Sequence, residues 1–175
     1  LGMWIFLASE VMFFVGFLGA YIILRAGVSH WPQPGEELNI PAAALNTFIL
    51  LTSSMTMAMG VGAVHPLELK QLRGFMILTI LFGCAFLGVK GYEYSLKFAH
   101  GHFPGTGIFW YCYFTLTGFH GIHVLGGVIA NLWILGLTFQ PDFLLKKGHF
   151  IEISGLYWHF VDLVWIFLFP LLYLM

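Results

Sequence analysis

Apolar residues run along this chain in long stretches, separated by short segments where proline, glycine and charge gather. The first stretch covers residues 2–24 and ends at Arg25 and the segment Trp31-Pro32-Gln33-Pro34-Gly35-Glu36-Glu37. The second covers 41–64. It opens on proline, where a missing N–H costs a helix nothing, and closes at His65-Pro66. The third covers 74–98, the fourth 107–139 and the fifth 151–175. His100-Gly101-His102-Phe103-Pro104-Gly105 joins the third to the fourth, and a loop from Gln140 through Lys146-Lys147 joins the fourth to the fifth. Each stretch supplies the roughly 20 apolar residues that cross a bilayer, and the fourth is long enough to tilt or to extend beyond the hydrocarbon. The pattern predicts an all-α, polytopic membrane helical bundle of about five transmembrane helices, with residues 1–175 forming one transmembrane domain.

Lys70, Arg73, Lys146 and Lys147 fall in the second and fourth loops, against Arg25 and Lys97 on the opposite side. Cytoplasmic loops carry the excess of Lys and Arg, so the N-terminus is expected inside and the C-terminus outside. The opening residues Leu1 to Trp4 already lie in an apolar run, with no charged segment before it and no small-residue cleavage site after it. That reads as a helix start rather than a signal peptide.

Composition agrees with lipid as the solvent. The chain is 59% hydrophobic and 9% charged, against roughly 25% charged in soluble domains. A net charge of −1 without any Lys/Arg-rich run gives no footprint for nucleic acid. Cys84 and Cys112 sit in apolar surroundings without metal-site spacing and read as small core residues. Recurrent glycines, among them Gly83, Gly126 and Gly127, suit close helix–helix approach in lipid. Trp110, Tyr111, Tyr113, Tyr157, Trp158 and Tyr173 near the span ends read as interfacial aromatic belts.

Ionisable side chains at membrane depth cost about 2.5–3.5 kcal/mol each on insertion scales, so each needs a reason. At about 1.5 Å per residue, Glu10 and His159 lie some 12 Å from the inner ends of their helices, with Asp162 one turn deeper. His123 lies about 24 Å from the outer face, so Glu10, His123, His159 and Asp162 are expected to share a layer. His120 and His123 are one turn apart, a spacing that serves interhelical hydrogen bonding or metal ligation. His159 and Asp162 have the spacing of an intrahelical hydrogen bond. Glu10 has no basic neighbour within two turns, so it is neutral or partnered from another helix, in a structural or a proton-linked role. Lys90 and Glu93, at i,i+3, are expected to form an outer ion pair, with Lys90 snorkelling outward. His65, His149, Lys146 and Lys147 are candidates for attracting protons or anionic headgroups at the inner surface. Motifs for nucleotide binding, nucleophilic hydrolysis, metalloprotease zinc or haem attachment are missing.

Three segments resemble subunit III of the haem–copper terminal oxidases, in its short five-helix form. They are Thr117-Gly118-Phe119-His120-Gly121-Ile122-His123-Val124, Gly155-Leu156-Tyr157-Trp158-His159-Phe160-Val161-Asp162-Leu163-Val164-Trp165, and Trp4 through Phe14, which contains Glu10. Leu45-Asn46-Thr47 through Ser53-Ser54 and Lys90-Gly91-Tyr92-Glu93-Tyr94 match in order, so the likeness covers essentially the whole chain. It implies a non-catalytic accessory subunit with no haem, copper or catalytic centre of its own. Haem and copper would belong to partner subunits, with oxidase subunits I and II and membrane lipids as partners. The implied role is to stabilise subunit I, bind phospholipid and support proton uptake, in a bacterial plasma membrane rather than a mitochondrial inner membrane. By the same likeness Glu10 is the family's buried carboxylate, and it is expected to meet His123 or His159. A corresponding subunit of a quinol oxidase or nitric oxide reductase complex is the nearest alternative. A membrane di-iron enzyme would need its histidines on one face, whereas His100 and His102 fall opposite His65 and His149.

Overall fold

The structure is a computed structural model that describes residues 1–28, 31–32, 38–64, 68–140 and 148–175. Helix α1 spans Gly2–Ala26, α2 Ile40–Gly62, α3 Leu69–Ala99, α4 Ile108–Leu137 and α5 His149–Phe169. Among the described residues, these are five helices long and apolar enough to cross a membrane.

Local chemistry sets several helix ends. Asn39 caps α2 by accepting a hydrogen bond from the Ala42 N–H at 3.1 Å, with proline in the first turn. At the end of α3, the His102 N–H reaches the Lys97 carbonyl at 3.0 Å and the Gly101 N–H reaches that of Phe98 at 3.1 Å. Gly101 takes φ +80°, the left-handed position this ending requires. A single 3₁₀ turn, Pro104–Thr106, then leads into α4. Beyond Phe169 the last turn widens into a π-turn over Pro170–Leu174, because proline brings no N–H to the α-helical ladder.

Helix α3 begins five residues before its expected start at residue 74, so the charged segment Leu69 to Arg73 is helical. Its 31 residues run about 46 Å, well beyond a ~30 Å hydrocarbon core. Charge ends a lipid-embedded stretch but does not end a helix that has emerged from lipid. Arg73 anchors this extension. It donates through Nε to Thr138 Oγ1 at 3.1 Å and through Nη2 to the Thr138 carbonyl at 2.5 Å, and it lies 4.3 Å over the Phe139 ring.

Helices α2, α3, α4 and α5 close a ring, each packing on two neighbours, and α1 lies outside against α4 and α5. Trp158 fills the middle of the ring, fully buried, and its Nε1 donates to Ser53 Oγ at 3.0 Å. The helices come this close because glycine faces the indole from both sides. A Cβ at Gly83 would lie 2.8 Å from Trp158 Cη2, and one at Gly127 2.8 Å from Cε3. The outward face is apolar, with Ile23, Phe48 and Ile122 all exposed, as a lipid-facing surface must be.

Candidate functional site: polar groups inside the bundle

Glu10 on α1 meets His123 on α4, with Oε2 3.0 Å from Nε2. The other ring nitrogen, Nδ1, donates to the Phe119 carbonyl at 2.7 Å and therefore carries a proton. One further proton is shared between Nε2 and the carboxyl oxygen. Whichever atom holds it, the pair is neutral as a unit and tolerable in a low-dielectric interior. Tyr157 on α5 fixes the same turn of α4 by donating to the His123 carbonyl at 3.0 Å.

His159 points elsewhere. Its Nδ1 lies 2.6 Å from Ser54 Oγ on α2, across the α2–α5 contact, and makes no hydrogen bond to Asp162. Asp162 is 3% exposed, and Ser54 lies beside its carboxyl without closing a hydrogen bond to it. Of the layer expected from depth, only Glu10 and His123 are hydrogen-bonded to each other.

Lys90 and Glu93 pair at 2.9 Å. Snorkelling does not occur: Lys90 is 7% exposed and Glu93 6%. The reason is the set of partners within the bundle. Lys90 Nζ also donates to the Tyr173 hydroxyl, while Tyr113 and Tyr173 donate to Glu93 Oε1 at 2.8 and 3.0 Å. The rings of Trp165 and Tyr173 stand 4.8 and 5.0 Å from the ammonium, close enough for cation–π attraction. The π-turn after α5 carries Tyr173 into this cluster. Tyr113, Trp158 and Tyr173 are thus not interfacial belt residues: all three are fully buried, because each finds a polar partner inside. Sequence reasoning passed over Tyr113, Tyr173, Ser53 and Ser54 as partners. The signal available for the tyrosines was the Lys90–Glu93 pair itself, whose depth calls for further donors.

His120 is fully buried between Trp165, stacked at 5.0 Å, and the edge of Phe86 at 5.6 Å. Neither ring nitrogen has a hydrogen-bond partner among the described residues. Among those residues, no three His, Cys, Asp or Glu side chains are placed to share a metal ion. His149, the first residue of α5, is exposed and lies against Phe150. His65, Lys146 and Lys147 lie outside the described residues. At the end of the bundle where α3 passes to α4, a 340 Å³ cavity is lined by Asn39, Glu93, Lys97, His100 and His102 over apolar walls that include Val89.

Residues 1–175 match the family described as Cytochrome c oxidase subunit III. Cytochrome c oxidase subunit 3 of Thermostichus vulcanus is 35% identical over 176 residues, covering 100% of this chain and 86% of that protein. The probable cytochrome c oxidase subunit 3 of Mycobacterium tuberculosis is 37% identical over 170 residues, covering 97% and 84%. Cytochrome c oxidase subunit 3 of Synechocystis sp. is 38% identical over 177 residues, covering 99% and 74%.

Proposed function

This chain belongs to the cytochrome c oxidase subunit III family, and from that premise we propose that it is the non-catalytic accessory subunit of a haem–copper oxidase in a bacterial plasma membrane. Haem and copper reside in partner subunits I and II. This chain stabilises subunit I, binds phospholipid along its apolar flanks and supports proton uptake. His65, His149, Lys146 and Lys147 attract protons or anionic headgroups at the inner surface. The observation that carries the reading is the full-length family match; the polar interior supports it, since Glu10–His123 joins α1 to α4 and the Lys90–Glu93 pair within α3 is tied to α4 through Tyr113 and to the C-terminal π-turn through Tyr173. The test is a mild-detergent purification through this chain, followed by subunit separation, optical spectra and metal analysis. Haem and copper are expected with the larger partners. Iron or copper that stays with the separated chain overturns the proposal.

Glu10 serves as a fastener of α1 in this reading. Glu10→Gln keeps a donor opposite His123 Nε2 and is expected to behave nearly as the parent. Glu10→Ala leaves that nitrogen unpartnered and should weaken the attachment of α1 by about 1–3 kcal/mol. The temperature at which the chain leaves the oxidase complex reads the difference. Equal temperatures for the two variants would show that the pair does not hold α1.

A further inference from the structure

Three observations converge on His120. The first is its pair of unpartnered ring nitrogens in a fully buried side chain. Buried polar groups in proteins are paired with protein atoms or ordered water, and leaving one unpaired costs about 1–3 kcal/mol. No lipid and no neighbouring subunit can touch a ring without exposed surface; water is small enough and both donates and accepts. Asn46 repeats the pattern nearby. It is fully buried, its Oδ1 has no partner, and its amide donates at 3.4 Å to the carbonyl of Phe86, whose ring borders His120.

The second observation is the position of His120 between two clusters. His123, with Glu10, lies one turn along α4. On the other side Lys90 approaches the Trp165 ring, on which His120 stacks, and lies within electrostatic reach of the imidazole. The third is that the far cluster is not sealed: Glu93 lines the cavity at the end of the bundle. From Tyr113 to His123 the file extends about 15 Å along α4.

We propose that internal water bound at His120 joins the Glu10–His123 pair to the Lys90–Glu93–Tyr113–Tyr173 cluster, forming one proton-exchange route from the end cavity to Glu10. Other titratable groups facing this file include Tyr94 on α3 and Tyr157 on α5, with Lys97, His100 and His102 at its cavity end. Each step hands on one proton and accepts one, so protons exchange without net transfer of charge. The route goes beyond the accessory role proposed above and does not depend on it.

The test follows histidine ring N–H protons by nitrogen-15 magnetic resonance in the bilayer-embedded oxidase complex. The His120 signal is recognised by its contacts to the Trp165 and Phe86 rings. After transfer to deuterated water, the ring protons of His120 and His123 should exchange well before the backbone amide of Val124, which is buried on the same helix. Val89→Trp, which fills the cavity while leaving every polar residue of the file in the sequence, should slow both exchanges at least about tenfold. Ala42→Trp, which closes it from the α2 side, should do the same. A His120 proton as persistent as the Val124 amide overturns the bound water. Exchange that proceeds at the parent rate in both plugged variants overturns the route.

Discussion

Replacing Lys90 with methionine is expected to destabilise the bundle by about 3–5 kcal/mol, the range for removing one partner of a buried ion pair. Methionine fills much the same space, so packing changes little. The Glu93 carboxylate, 6% exposed, would lose its Lys90 partner and keep, among the described residues, the donors from Tyr113 and Tyr173. Adding Glu93→Gln to Lys90→Met removes the orphaned charge, and the double variant should recover a large part of the loss. The measurement is the thermal release of the chain from the oxidase complex, compared across the parent, both single variants and the double. A double variant no better than Lys90→Met would mean that the cluster acts through packing rather than charge.

The second large effect is steric. Gly127→Val puts atoms where Trp158 already sits: a Cβ there would lie 2.8 Å from Cε3 and Cζ3, and 3.2 Å from Tyr157 Cε1. The indole has little room to retreat, because the Gly83 backbone faces its far edge so closely that a Cβ there would lie 2.8 Å from Cη2, and Ser53 Oγ holds its nitrogen at 3.0 Å. Overpacking a closed core costs about 1–3 kcal/mol, and a clamp on both faces puts this variant at the upper end. Gly126→Ala is the control. Its Cβ would lie 3.7 Å from the Tyr157 hydroxyl, ordinary contact, so near-parent stability is expected. Equal yields of assembled complex from Gly127→Val and Gly126→Ala would show that the ring yields around Trp158.

The helices are legible in the sequence because lipid leaves so few choices. Without water for the backbone, an apolar stretch of this length must be helical, and proline and charge mark where lipid ends. The same rule misplaces the start of α3, since Lys70 to Arg73 can stay helical once outside the hydrocarbon. Depth arithmetic along single helices puts Glu10 and His123 at one level, and the structure has them 3.0 Å apart. It cannot resolve rotation about a helix axis, which is what sends His159 to Ser54. Amphipathic aromatics are ambiguous for another reason: a tyrosine hydroxyl or indole N–H is satisfied equally by headgroups or by an interior partner. Only the three-dimensional arrangement shows that Tyr113 and Tyr173 serve Glu93.

The widened turn at Pro170–Leu174 bears on how the chain can change over generations. One residue more or less in a helix rotates everything beyond it by about 100°. The π-turn accommodates an additional residue and still delivers the Tyr173 hydroxyl to Lys90 and Glu93. Point substitutions at Leu171 or Leu174 leave that angular setting alone, whereas deletion of any one residue from Pro170 to Leu172 swings the phenol out of the cluster. Leu171 and Leu174 should therefore drift freely while the segment keeps its length, its Pro170 and its Tyr173.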